Sequence, residues 1–364
     1  MSSAAVGYGE EEKKVNLWYE LLKSVGVRGQ SKEAHLIILG DKGVGKRSLI
    51  KAINKPFLRQ MGLQANLFDE IGSDYTSFEG SYLYVREITE FGAVDEKNIG
   101  MEEGLMSRIN VWIINDEEMG KMLPKVLKPE DLEYTFAFIV PDIEQPWDLM
   151  ANCEKWMQVL KNAIYSISPN LNLKTLDKLR DRIVDLYKMY EEPEFDKDGK
   201  FINKKPKKKI QKSEMDDSRA GDISKIEEFD ISIQEDQDMM DDLRKEMELP
   251  EGTLETNLFI PTAIVCTKVD LIEHGEKEIK GILEKNLDFI QYTLRKYCLS
   301  YGTTLLFTSA NTNTNIDLLY NYVLYRLYDE DFPFTSNIND KEALFVPTGF
   351  DSKELIDQSD LKSF

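Results

Sequence analysis

Histidine and cysteine are scarce in this 364-residue chain, which holds only His35, His274, Cys153, Cys266 and Cys298. The cysteines stand far apart and include no CxxC pair, which excludes a disulfide framework and argues against a zinc site. No apolar run reaches the roughly 18–20 residues that a membrane span requires, and the first residues lack the apolar core of a signal peptide. An excess of positive charge is missing as well. The 46 Lys and Arg against 66 Asp and Glu leave a net charge of −20. Such a surface repels phosphate backbones and anionic lipid, so neither nucleic-acid binding nor direct membrane insertion is expected. A reducing compartment, the cytosol, is the expected location.

What the chain does have is apolar mass: 41% hydrophobic residues, enough for a sizeable core. Val15, Leu17, Trp18, Leu21, Leu22 and Val25 recur at helical spacing before Gly26, which predicts an amphipathic helix inside a leader of residues 1–33. Its apolar stripe must dock on this chain or on a partner. Next come HLIILGDKGVGKRSLIKAI and the strand candidates 81–91, 109–116, 135–143, 257–268 and 303–309. Several are continuous β-branched and aromatic runs, as strands covered on both faces require. Helical periodicity lies between them over 147–167, 279–297 and 316–327. The alternation predicts a doubly wound, mostly parallel α/β domain over residues 34–330. Residues 196–248 interrupt it with six lysines between Lys204 and Lys212 and then an acidic stretch, so this segment reads as a solvated, disordered insertion. Residues 331–364 read as an extended C-terminal wrap carrying one short strand candidate, ALFVP.

The chemistry concentrates at Gly40-Asp41-Lys42-Gly43-Val44-Gly45-Lys46-Arg47-Ser48, between a buried strand and a helix. Glycines there let backbone N–H groups converge on phosphate oxygens, the helix N-terminus adds positive potential, and Lys46 reaches the β- and γ-phosphates. A metal-using loop has Ser or Thr directly after the lysine, because that hydroxyl ligates Mg²⁺. Arg47 stands there instead. Ser48 comes one step late, about 100° around the helix. Thr267-Lys268-Val269-Asp270 ends a strand in the [NT]KxD pattern of GTP-binding proteins, with Asp270 placed to accept from guanine and Lys268 to pack over its plane. Ser309-Ala310 ends the following strand, where such proteins carry an SA loop. Two other parts fail: INVWIIND leads to Asn115 and Asp116, neither with a glycine three residues on, and no glutamine stands ready to orient water. Thr76 and Thr89 carry no distinctive pattern as switch threonines. The binding half reads as kept and the hydrolytic half as lost: GDP or GTP held without turnover, with Mg²⁺ weak or absent. A working GTP-binding switch is the alternative.

At this point the sequence resembles the light intermediate chain family of cytoplasmic dynein, over roughly residues 14–351. The likeness lies in NLWYELLKSV, LGDKGVGKRSLI, INVWIIND, Pro146-Trp147, Lys155-Trp156, IPTAIVCTKVD, FIQYTLRKYCLSYGTTLLFTS, NIDLLYNYVLYRLY and ALFVPTGFD. The resemblance implies a Ras-like domain used mainly as a scaffold in microtubule-based, minus-end-directed transport. It would hold the tail of the dynein heavy chain, helped by extensions around Leu17 and Trp18 and around Phe345 and Phe350, beside other dynein subunits. Many family members carry a long, mostly disordered C-terminal region with a short helix that grips cargo adaptors; the sequence given stops at Phe364 without it, so adaptor contact is expected only if that segment was removed or another subunit supplies it. The light intermediate chain of ciliary dynein is also similar, although the motifs sit nearer the cytoplasmic type. Better-preserved family loops carry Thr where this chain has Arg47.

Overall fold

The computed structural model describes residues 34–60, 77–85, 107–196, 201–202, 249–274 and 276–360. The predicted leader helix, Thr76, Thr89 and most of the charged insertion lie outside these. Strand β1 (Ala34–Leu39) is buried at every position, as a wholly apolar run between two layers must be. It leads through the glycine loop into helix α1 (Lys46–Gln60), followed by β2 (Phe78–Val85) and β3 (Ser107–Ile114). Short helical turns, among them α2 (Leu123–Val126), then connect to β4 (Thr135–Ile139). Helices α3 (Leu149–Ile167) and α4 (Leu173–Lys188) follow, then a two-residue hairpin, β5 (Glu194–Phe195) with β6 (Phe201–Ile202). The last third holds β7 (Thr262–Cys266), α5 (Leu271–His274), α6 (Lys277–Tyr301), β8 (Thr304–Phe307), α7 (Ile316–Tyr328), β9 (Phe345–Val346) and α8 (Lys353–Asp360).

Seven strands form one sheet in the order β2-β3-β1-β4-β7-β8-β9. The strands from β3 to β8 are parallel, and the two edge strands β2 and β9 are antiparallel to their neighbours. Alternation along β1 shows why the sheet is covered twice. Leu36 and Ile38 face a core with Leu49, Ile53, Leu319 and Val323 of α1 and α7. Ile37 and Leu39 face the opposite core, with Trp156 and Leu160 of α3 and Leu287 and Leu294 of α6. The doubly wound, mostly parallel expectation therefore holds. All three cysteines, distant in sequence, lie in that second core, where burial pushes their thiols upward and leaves them protonated packing groups. Among the described residues no helix is long and apolar enough to cross a membrane.

Several boundaries differ from the sequence expectation. β2 begins at Phe78, three residues before the predicted 81, and the predicted strand 257–268 is confined to Thr262–Cys266, with Phe259 at φ 64 and a proline at 261 ahead of it. A positive φ breaks extended pairing. Helix α3 starts after Asp148 rather than at Trp147. The C-terminal segment does more than wrap. Its ALFVP supplies β9 to the sheet, and a helix not expected from its composition, α8, follows. The Thr-Gly-Phe-Asp after β9 is fastened between α4 and α6. Buried Arg295 donates Nε to Asp351 Oδ2 at 2.8 Å and Nη2 to Oδ1 at 2.5 Å, and the Tyr187 hydroxyl donates to the Asp351 carbonyl at 2.8 Å. Gly349 has φ +90 and runs so close to α4 that a Cβ there would meet the Tyr187 carbonyl and the Tyr190 Cβ, so only glycine fits.

Candidate functional site

Three loops meet at the carboxyl ends of β1, β7 and β8, the edge of a doubly wound sheet where ligand crevices form. The first is 40–45. Gly43 and Gly45 have φ +85 and +95, the left-handed conformations that turn successive N–H groups inward. Gly40 has no room for a side chain, since a Cβ would lie 2.5 Å from the Val140 carbonyl of the β4 end. Val44 is buried and its carbonyl accepts from the Thr267 hydroxyl at 2.5 Å, which joins the first loop to the second. Asp41 is turned toward α3, where its Oδ1 accepts from Lys155 Nζ at 2.6 Å and from the Trp156 indole at 3.1 Å.

Lys46 opens α1 and is 4% exposed. Its ammonium donates back to the carbonyls of Gly40 and Asp41, each at 2.6 Å. Burial is the chief cause that lowers its pKa to about 7; Asp41 and Glu79 oppose the shift, and Arg47 and Lys155 add to it. A buried ammonium that caps its own loop is ready to exchange two carbonyls for phosphate oxygens.

Arg47 is the departure. Its guanidinium forms a two-pronged pair with Glu79 of β2: Nε donates to Oε2 at 2.8 Å and Nη2 to Oε1. Asn115, directly after β3, donates its side-chain amide to Glu79 Oε1 at 3.2 Å. The next residue, Asp116, caps a turn by accepting from the Glu118 N–H at 3.0 Å. So the two positions where a metal-supporting aspartate was sought hold one carboxamide committed to Glu79 and one carboxylate committed to a helix end. Ser48 is exposed on the first turn of α1.

The second and third loops hold the remaining predicted residues. Lys268 has a left-handed backbone (φ 60), and its Nζ donates to Asp142 Oδ2 at 3.0 Å and Glu144 Oε2 at 2.5 Å. Partial burial disfavours its charge, but those two carboxylates outweigh it and raise the pKa. The ammonium is thus tied to the loop after β4, a contact the motif alone did not reveal. Asp270 accepts from the buried Ser309 hydroxyl at 2.7 Å and from the Asn311 amide at 3.3 Å, which fixes the carboxylate beside Ala310. Lys155 and Trp156 entered the sequence reading only as marks of resemblance, and Glu79, Asp142 and Glu144 not at all. No motif flags them, because each reaches the site through tertiary packing.

The donor set of 40–48, with its glycine-loop amides, a helix N-terminus and the Lys46 ammonium, suits phosphate groups. The fixed carboxylate of Asp270 suits a ring that presents two donors. The same residues do not suit a divalent cation: a guanidinium cannot ligate one, and the carboxylate it reaches, Glu79, has both oxygens engaged by Arg47.

A family model described as dynein light intermediate chain (DLIC) matches residues 95–233 and 222–358. The chain is 28% identical over 356 residues to cytoplasmic dynein 1 light intermediate chain 1 of Rattus norvegicus, covering 96% of this chain and 56% of that protein. It is 29% identical over 355 residues to the same-named protein of Gallus gallus, at 96% and 57% coverage. Against that of Dictyostelium discoideum it is 24% identical over 356 residues, covering 94% and 64%. The chain therefore spans little more than half the length of these animal relatives. Among solved structures, the crystal structure of the dynein light intermediate chain's conserved domain superposes with a TM-score of 0.56 at 17% identity, covering 89% of this chain and 84% of that one. At that identity the likeness concerns the fold.

Proposed function

Because the chain belongs to the dynein light intermediate chain family, we propose that it is a non-catalytic subunit of a cytoplasmic dynein motor, working on microtubules, whose Ras-like domain holds the tail of the heavy chain beside other dynein subunits. Its glycine loop and the 267–270 and 309–310 segments bind a guanine nucleotide, GDP or GTP, as a structural cofactor. Bound there without turnover, nucleotide stabilises the fold by mass action.

The observation that carries the non-catalytic reading is the Arg47–Glu79 pair at the head of α1. Phosphoryl transfer needs a cation bridging the β- and γ-phosphates, a residue that senses the γ-phosphate and one that positions water. The first place is taken by an ion pair, and Asn115 and Asp116 are committed elsewhere. The scaffold reading has separate support. Trp147 and Phe289 are 65% and 68% exposed and line a cleft of about 260 Å³ with Pro146, Met150 and Ile282 between α3 and α6. Aromatic side chains exposed together mark surface that a partner buries.

Affinity purification of the tagged chain from its native cells tests the reading. Recovery of a dynein heavy chain in near-equal amount is expected. Recovery of the chain alone, or with partners that include no heavy chain, would contradict the assignment.

A further inference from the structure

Resting on the nucleotide reading above, we propose that Asp142 and Glu144, in the loop after β4, are positioning residues for the nucleobase. They pin the Lys268 ammonium, which makes the lysine stem a fixed cover over one face of a purine whose edge Asp270 reads. The loop is built into the site by backbone bonding that continues past the ends of two neighbouring strands. β4 and β7 pair in parallel as far as Ile139 and Ile264. Beyond them the Thr267 N–H donates to the Pro141 carbonyl at 3.0 Å, the Ile143 N–H donates to the Thr267 carbonyl at 3.2 Å, and Asp142 forms a parallel bridge with Thr267. Residues 141–143 therefore keep register with the Thr267-Lys268 step. The Thr267 hydroxyl donates to the Val44 carbonyl and ties that step to the glycine loop.

Both ends of the Lys268 side chain are thereby held. At its root the backbone has φ 60, and the Leu271 N–H donates to the Lys268 carbonyl at 3.1 Å in the turn that also carries Asp270. At its tip Nζ donates to Asp142 Oδ2 at 3.0 Å and to Glu144 Oε2 at 2.5 Å. The Asp142 side chain is 10% exposed and that of Glu144 42%, so the first carboxylate is a rigid anchor and the second an outer one. A lysine stem is flexible, and ordering it on a ligand costs binding free energy. Here the stem is ordered before any ligand arrives, as preorganised sites are. Two carboxylates on one ammonium leave no net positive charge there for phosphate. What remains is a row of methylenes, which grips a base by its plane and does not tell one purine from another. Discrimination falls to Asp270, whose oxygens are fixed by Ser309 and Asn311 and keep acceptor capacity for ring donors. Plane and edge are thus read by separate groups. The motif names Lys268 and Asp270, but its anchors stand 126 and 124 positions from Lys268.

The test titrates the purified full chain with GDP, with IDP, which lacks the exocyclic amino group, and with pyrophosphate, which lacks the base. Asp142→Asn with Glu144→Gln keeps both shapes and removes both charges. It should weaken GDP and IDP alike by about tenfold, the worth of a lysine held over an aromatic face. The GDP-to-IDP ratio and the pyrophosphate affinity should not change. Asp270→Asn, by contrast, should bring that ratio to about one, because the edge contact is lost. Lys268→Met should repeat the loss of about tenfold, and adding the two carboxylate changes should weaken binding no further, since they act through the ammonium. Thermal melting checks that each variant folds. Native GDP affinity in the folded double variant overturns the proposal. So does a parallel fall in pyrophosphate binding, or additive losses in the Lys268→Met background; each of these leaves the nucleotide reading intact. Absence of GDP binding by the native chain overturns both. If the double variant does not fold, Glu144→Gln alone decides by the same readouts, with an expected loss of about threefold, half of the tie in free energy.

Discussion

Replacing Asp351 with alanine is expected to cost about 3–5 kcal/mol of folding stability, seen as a lowered midpoint of urea unfolding with unchanged slope. The aspartate lies near the end of the C-terminal segment, far in sequence from the Arg295 it accepts from, and both side chains are nearly inaccessible, at 7% and 5%. Its removal strips a buried guanidinium of the carboxylate that offset its desolvation. It also loosens the joint at which α4, α6 and the segment after β9 meet, because Tyr187 donates to the same residue's carbonyl. A double change, Arg295→Met with Asp351→Leu, should recover much of the loss, since well-packed apolar groups can replace a buried pair at little cost. A loss below about 1 kcal/mol for Asp351→Ala would mean that the pair does not fasten the segment. The prediction matters for function: this segment supplies β9, so its attachment decides whether the last edge of the sheet is a fixed surface.

Lys46→Ala is expected to weaken nucleotide binding by roughly 30- to 100-fold, the worth of one charge-assisted contact in a part-buried site, while heavy-chain recovery stays unchanged. It should also alter the pH profile. In the free protein burial lowers the Lys46 pKa to about 7, whereas a bound phosphate favours the charged form. Below pH 7 the lysine is already protonated in the free state and contributes no pH dependence. Above pH 7 binding must take up a proton, so affinity falls as pH rises, by at most about tenfold per unit, until the pKa of the bound form is reached. The alanine variant should lose that slope. Titrations between pH 6 and 9 read it directly. A slope that persists in Lys46→Ala, or loss of heavy-chain recovery with the fold preserved, would contradict the account.

Much of this molecule can be read from its residues in order. The runs that became β1, β4, β7 and β8 are largely apolar at consecutive positions because both faces are covered, and that pattern is local. The glycine loop, Thr267-Lys268-Val269-Asp270 and Ser309 are motifs of fixed spacing at strand ends, and the fold brings them to one edge. What escaped was tertiary. Helix α4 buries only Leu179 and Ile183, so its charged face hid its period. Asp41 is held by Lys155 and Trp156, Lys268 by Asp142 and Glu144, and Arg47 by Glu79, pairs separated by 32 to 126 positions. Only sheet order and helix docking join them. The loss of the metal hydroxyl was visible at Arg47, but the carboxylate that now occupies its guanidinium was not.

Multiple-turnover hydrolysis of GTP by the purified chain in excess Mg²⁺ bears most directly on the central claim. The account predicts no phosphate release above that of buffer, at any nucleotide concentration that saturates binding. Continuous release of many phosphates per chain, abolished by Lys46→Ala, would show that the corner held by Arg47 and Glu79 still works as a catalytic centre, and the account would be wrong.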